Sequence, residues 1–173
     1  MAGVQVCLIR HGIAGERGPA YPDDNLRPLT SEGVVKMERA AIGLRELFVP
    51  DVILTSPLTR SRQTAEIVAD ACGVRDILRC DPLANGDDAQ LLREVVASGH
   101  ARIACTGHEP LLSYTLSYCL TGDQGAVSSR FRKGAAALVR FDGDVAAGRG
   151  SLEWLLQPAA LRAITADVSA DGD

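Results

Sequence analysis

The stretch Val6-Cys7-Leu8-Ile9-Arg10-His11-Gly12 decides the fold of this chain. An apolar run stops abruptly at a guanidinium, an imidazole and a glycine. A short continuous apolar run closed by a turn signal is the pattern of a strand in the middle of a sheet. Side chains that leave such a strand at its carboxyl end enter the crevice where open α/β sheets bind ligands. The pattern therefore sets Arg10 and His11 side by side where a ligand is expected.

Working outward, the design of strand, sharp turn, cationic side chain and helix recurs twice. Val52–Thr55 reads as a strand followed by Ser56-Pro57-Leu58-Thr59-Arg60 and a helix over about 59–71, with Gly73 at its stop. Ala101–Thr106 reads as a strand followed by Gly107-His108-Glu109-Pro110 and a helix from Pro110 to about Leu120. If these strands are parallel neighbours, all three turns open at one edge of the sheet, each with a helix N-terminus aimed at it. Arg60 is informative because a cation in a first helical turn opposes the macrodipole by roughly 0.3–1 kcal/mol; the placement makes sense over a bound anion. Two guanidinium forks grip phosphoryl oxygens in pairs, and two imidazoles add a nucleophile or a proton donor near neutral pH. Taken singly, each motif is also what a surface turn or a solvated helix looks like, and Arg62 fits an outward pair with Glu66 four residues on. The convergence is what points to a phosphate site.

Between these motifs, residues 12–29 are a long Gly-, Pro- and Asp-rich connection, and connections of that length are usually functional loops or disordered. Thr30 or Ser31 caps a helix to about Leu47 whose stripe is Val34, Met37, Ala41, Leu44 and Leu47. Asp76–Cys80 is a weaker strand, 81–88 a polar loop and Ala89–Ser98 a helix. Ala135–Phe141 and Leu152–Leu156 are strands with only a loop between them, which suits an antiparallel pair. A short helix over Pro158–Ile164 follows, and the acidic tail 165–173 reads as disordered. Strands alternating with helices argue for an α/β fold, a three-layer α/β/α sandwich around a mostly parallel, mixed central sheet, as a single domain over 1–164.

The totals exclude several classes. With 173 residues, net charge −4 and pI about 5.4 there is no overall basic footprint for nucleic acid. No apolar run reaches a membrane span, and the N-terminus is not a secretory signal, which leaves the cytoplasm as the default location. Five cysteines without a CxxC pair and three histidines give no zinc spacing, so neither metal nor cofactor is expected; Cys7 and Cys105 read as small buried hydrophobes. No GxxxxGK is present, so a nucleotide P-loop is not expected.

Leu8-Ile9-Arg10-His11-Gly12, with its RHG motif, resembles the signature of the histidine phosphatase superfamily, the phosphoglycerate mutase-like fold. Arg27-Pro28-Leu29-Thr30-Ser31-Glu32-Gly33, the segment from Leu54 to Ala65 and Thr106-Gly107-His108-Glu109-Pro110 look like the SixA-type phosphohistidine phosphatases. The resemblance spans nearly the whole chain. It implies that His11 is a nucleophile that becomes a phosphohistidine and is then hydrolysed. It implies too that Arg10, Arg60 and His108 clamp the phosphoryl oxygens. For His11 to attack, the ring nitrogen away from phosphorus should donate its proton to a nearby carbonyl. Gly12 is expected to let the backbone turn tightly beside the ring. Arg27 falls at the rim, touching phosphate or pairing with Asp23 or Asp24, and Lys133 either reaches the rim or stays solvated.

The general acid is where the sequence departs from the larger relatives: the loop from Asp81 to Asp88 holds no Glu, and Glu109 stands where other relatives carry Asp. Glu109 suits substrate binding and equally the capping of its helix; Asp87 is the other carboxyl to weigh. A phosphoramidate leaves from nitrogen, so the missing acid is compatible with a phosphohistidine substrate. The expected partner is thus a protein carrying phosphohistidine. Alternatives are a phosphatase of small phosphomonoesters, a mutase, and a binding module that holds phosphate without turnover.

Overall fold

The computed structural model describes residues 3–168. Its strands are β1 (Val4–Arg10), β2 (Val52–Thr55), β3 (Ile77–Arg79), β4 (Arg102–Gly107), β5 (Ala136–Phe141) and β6 (Ser151–Leu156). Its helices are α1 (Ser31–Leu47), α2 (Thr59–Cys72), α3 (Pro82–Asn85), α4 (Asp88–Ala97), α5 (Leu111–Thr121) and α6 (Pro158–Val168). The six strands form one sheet in the order β3-β2-β4-β1-β5-β6. The first four of that order are mutually parallel; β5 is antiparallel to both β1 and β6. The layered, mixed α/β fold is the expected one, with β1 at the centre.

Alternation along the strands builds two cores. Val6 and Leu8 of β1, Leu54 of β2 and Cys105 of β4 face a cluster closed by Leu83, Leu91, Leu112 and Leu116 of α3, α4 and α5. Cys7 and Ile9 face the other way, against Met37 and Leu44 of α1, Val68 of α2 and Leu161 of α6. Strands buried on both faces carry no polar residue in their middles, which is why they read as continuous apolar runs.

Several boundaries differ from expectation. Leu47 is 43% exposed and lies off the buried stripe of α1, which instead uses Gly33, Met37, Ala40, Ala41, Gly43 and Leu44; small residues line it because α6 packs closely there. The polar loop 81–88 contains the short helix α3, whose Pro82 and Leu83 are buried. Pro110 caps α5 instead of opening it, across a cis bond from Glu109, because the Glu109 carboxylate turns back onto Ser113 and fixes the first turn one residue later. The last helix continues to Val168, as no glycine or proline interrupts it; residues 169–173 of the expected tail lie outside the described residues.

The α1–α6 contact makes a direct prediction. A Cβ built on Gly43 would overlap the backbone carbonyl of Leu161. Gly43→Ala should therefore lower stability by about 1–3 kcal/mol, measured by urea unfolding, despite alanine's better helix propensity.

Candidate active site

The sheet register decides which turns meet. Ile9 of β1 pairs with Thr106 of β4, and Thr106 pairs on its other side with Thr55 of β2. The three strands end level, so Arg10-His11, Ser56 and Gly107-His108 leave the sheet at one edge. His11 and His108 end with ring centroids 5.2 Å apart, and both are buried, along with Arg60. Arg10, His11, Arg27, Arg60, His108 and Glu109 line one cavity of about 340 Å³, with Lys133 and the 14–17 segment at its border. The long connection 12–29 thus forms one wall of the cavity.

Each imidazole is held by one nitrogen. His11 Nδ1 donates to the carbonyl of Gly12 at 2.7 Å, the arrangement a nucleophilic imidazole requires, since the lone pair is left on Nε2. Gly12 N–H in turn donates to Thr64 Oγ1 at 3.1 Å, and Thr64 donates to the Arg60 carbonyl at 2.8 Å, joining the first site segment to the second. His108 Nε2 lies 2.7 Å from Ser56 Oγ, which also accepts the Leu58 N–H at 3.4 Å. Hydroxyl and imidazole can each donate or accept in this contact, so it orients the His108 ring without selecting its tautomer.

The arginines are fastened by their terminal nitrogens. Arg10 Nη1 donates to the Phe131 carbonyl at 2.7 Å. Arg60 donates from Nη1 to the Asp24 carbonyl at 2.9 Å and from Nη2 to Asp24 Oδ2 at 3.2 Å. Arg10 Nε, Arg60 Nε and His108 Nδ1 are buried without a partner, three of the four such atoms among the described residues. Buried donors are normally satisfied, so this concentration marks a place built for an acceptor.

Residues 6–84 match the family model described as histidine phosphatase superfamily (branch 1). This region carries the signature that the family model describes. The chain is similar in structure to the protein histidine phosphatase SixA solved with tungstate, with a TM-score of 0.79 and 27% identity over 91% of this chain and 99% of that one. It is also similar to a protein assigned as phosphohistidine phosphatase SixA from Agrobacterium tumefaciens, with a TM-score of 0.71 and 26% identity over 88% and 97%. A probable phosphoglycerate mutase GpmB of Escherichia fergusonii is 41% identical over 78 residues, 43% of this chain and 34% of that protein. The matched stretches span 33% to 41% of the length of such curated relatives.

Against the superfamily signature, the remaining residues sort by their contacts. Gly12 contributes its backbone, but its φ is not positive and a Cβ there would meet only ordinary contacts, so the expected tight turn does not demand glycine. Arg27 is buried, donating from Nε to Asp24 Oδ1 at 2.9 Å and from Nη1 to the Gly15 carbonyl at 2.6 Å. Both oxygens of Glu109 are engaged: Oε1 by the Ser113 hydroxyl and Phe131 N–H, Oε2 by Ser113 N–H. Its capping role is thus realised. Asp87 caps α4 at Gln90 and does not line the cavity. Arg62 pairs outward with Glu66 at 3.7 Å.

The sequence did not single out Asp24 as the partner of Arg60, nor Ser56, Thr64 or Glu16. Asp24 also meets Arg17 at 3.2 Å, and Glu16 lines the cavity from its exposed side. The polar turn Ser56-Pro57 and Thr64, one helical turn after Arg60, were the available signals. Among the described residues no cluster of His, Cys, Asp and Glu suits a metal ion, and no helix is long and apolar enough to cross a membrane. Burial raises the thiols of Cys7, Cys80 and Cys105, which makes them poor nucleophiles.

Burial among cations keeps both imidazoles neutral. Desolvation first, and then the charges of the neighbouring Arg60 and Arg10, lower His11 to about 3. Desolvation, then Arg60 and Arg10, lowers His108 to about 4. The folded pKa values lie below the ordinary 6.5, so the unfolded chain binds the extra protons. The stability from neutral burial is full above pH 6.5 and is lost as pH falls toward 4 and 3, at about 1.4 kcal/mol per pH unit per histidine. Urea unfolding between pH 7 and 4.5 should show this slope, and His108→Asn should reduce it.

Proposed function

We propose that this protein is a phosphatase that forms a covalent phosphohistidine on His11, and that its substrate is phosphohistidine on another protein. The observation that carries the reading is a neutral imidazole, locked by Gly12, in a cavity lined by two arginines and a second histidine with unused donors. The similarity to the SixA proteins, one solved with the oxyanion tungstate, supports the same chemistry.

In this mechanism the His11 Nε2 lone pair attacks phosphorus in line. The bond from phosphorus to the leaving nitrogen breaks, that nitrogen keeps the electron pair as its lone pair, and the proton taken from solvent on the other ring nitrogen makes the departing imidazole neutral. Water then attacks the phosphorus of phospho-His11, the P–N bond breaks, and phosphate departs with His11 restored. Arg10, Arg60 and His108 Nδ1–H neutralise the non-bridging oxygens as charge redistributes. No step calls for a metal. Glu109 acts in substrate binding only through its hold on the Phe131 backbone, and Arg27 holds the 12–29 wall against the cavity.

A phosphohistidine substrate fits because both Glu109 oxygens are committed, so no buried acid stands ready for an alkoxide leaving group. A second reading rests on Glu16: as an exposed carboxyl at the cavity it can protonate the leaving oxygen of a small phosphomonoester. A holding module without turnover would bind phosphate and hydrolyse nothing.

EDTA-treated protein should release phosphate from phosphohistidine with higher kcat/KM than from a panel of sugar and nucleotide monophosphates. His11→Ala should lower kcat by at least about 10³-fold and Arg60→Ala by about 10²–10³-fold, with circular dichroism unchanged. Turnover only after addition of a divalent metal, or full activity in His11→Ala, would refute the mechanism. A preference for monoesters that Glu16→Gln removes would favour the second reading.

A further inference from the structure

Beside the phosphate cavity lies a larger cleft of about 460 Å³ that shares Arg10 and Glu109 with it. One wall is the start of α5, with Pro110 and Tyr114; the other is the segment around Val127, Ser129 and Arg130. Tyr114 is 43% exposed. Arg130 is exposed and forms no ion pair with any described residue. Burial is the main cause that lowers the Arg10 pKa, and the nearby Arg130 charge adds to it. Ser129, whose buried Oγ is the fourth polar atom without a partner, is also a lining residue. Glu109, the acidic residue of the cleft, spends both oxygens on Ser113 and Phe131. An acidic protein thus keeps a cation with no ion pair among the described residues and an exposed aromatic in a groove beside its phosphate cavity.

We infer that this cleft binds the polypeptide flanking the phosphorylated residue, and that Arg130 selects an acidic side chain there while Tyr114 packs on the adjoining apolar surface. The inference rests on the phosphatase reading. A small phosphorylated molecule is accommodated by the first cavity alone; only a substrate that extends past Arg10 reaches the second. Charge complementarity makes the flanking residue acidic, and a cation at the border of a site acts mainly on encounter and discrimination.

The test compares three substrates: a phosphohistidine peptide flanked by aspartates, the same peptide flanked by lysines, and phosphoramidate. Arg130→Glu should lower kcat/KM for the aspartate peptide about tenfold or more, abolish its advantage over the lysine peptide, and leave phosphoramidate hydrolysis within about twofold. Tyr114→Ala should raise KM for both peptides and spare phosphoramidate. The Arg130 effect should shrink in high salt. Equal loss on all three substrates, or an unchanged aspartate-peptide rate in Arg130→Glu, would overturn the inference while leaving the phosphatase reading standing. A wild-type protein inert toward all three would overturn both.

Discussion

Everything in the site depends on packing two imidazoles against guanidinium groups inside the protein. Burial removes the water that would stabilise an imidazolium, and the nearby positive charges oppose it further. Both rings are therefore neutral where an ordinary histidine would be partly charged. A neutral ring must choose a tautomer; the Gly12 carbonyl chooses it for His11, and the Ser56 hydroxyl orients His108. His11 is left with a lone pair on Nε2, with the His108 ring centroid 5.2 Å from its own.

The scaffold supplies that arrangement through register. Because β1, β4 and β2 are parallel neighbours ending on the row Ile9–Thr106–Thr55, each contributes the residues just past its end to one edge. The contacts behind the first row are mostly backbone: Phe131 holds Arg10, Gly12 holds His11, and Asp24 holds Arg60 partly through its carbonyl. Asp24 also serves Arg27 and Arg17, so the 12–29 connection is tied to that edge by one carboxylate shared among three arginines, which leaves the cluster net positive.

Much of this was legible in the sequence because the dominant signals are local. The apolar runs of β1, β2 and β4, the Thr30 cap and the Gly73 stop each specify their element within a few residues. The superfamily motifs then tied Arg10, His11, Arg60 and His108 to one place. What the sequence hid depends on partners far along the chain. Leu47 matches the helical spacing yet is exposed, since which flank of α1 is buried is set by α6, more than a hundred residues later. Glu109 looks like a candidate acid until Ser113 and Phe131 are seen to occupy it. Asp24 was visible as a neighbour of Arg27, but its grip on Arg60 crosses 36 residues and has no local signature.

The most direct test of the account is the ¹⁵N nuclear magnetic resonance titration of the His11 ring. The expected result is a neutral ring protonated on Nδ1 from pH 8 down to pH 5, with Nε2 bearing a lone pair. An imidazolium at pH 7, or a neutral ring protonated on Nε2, would contradict it.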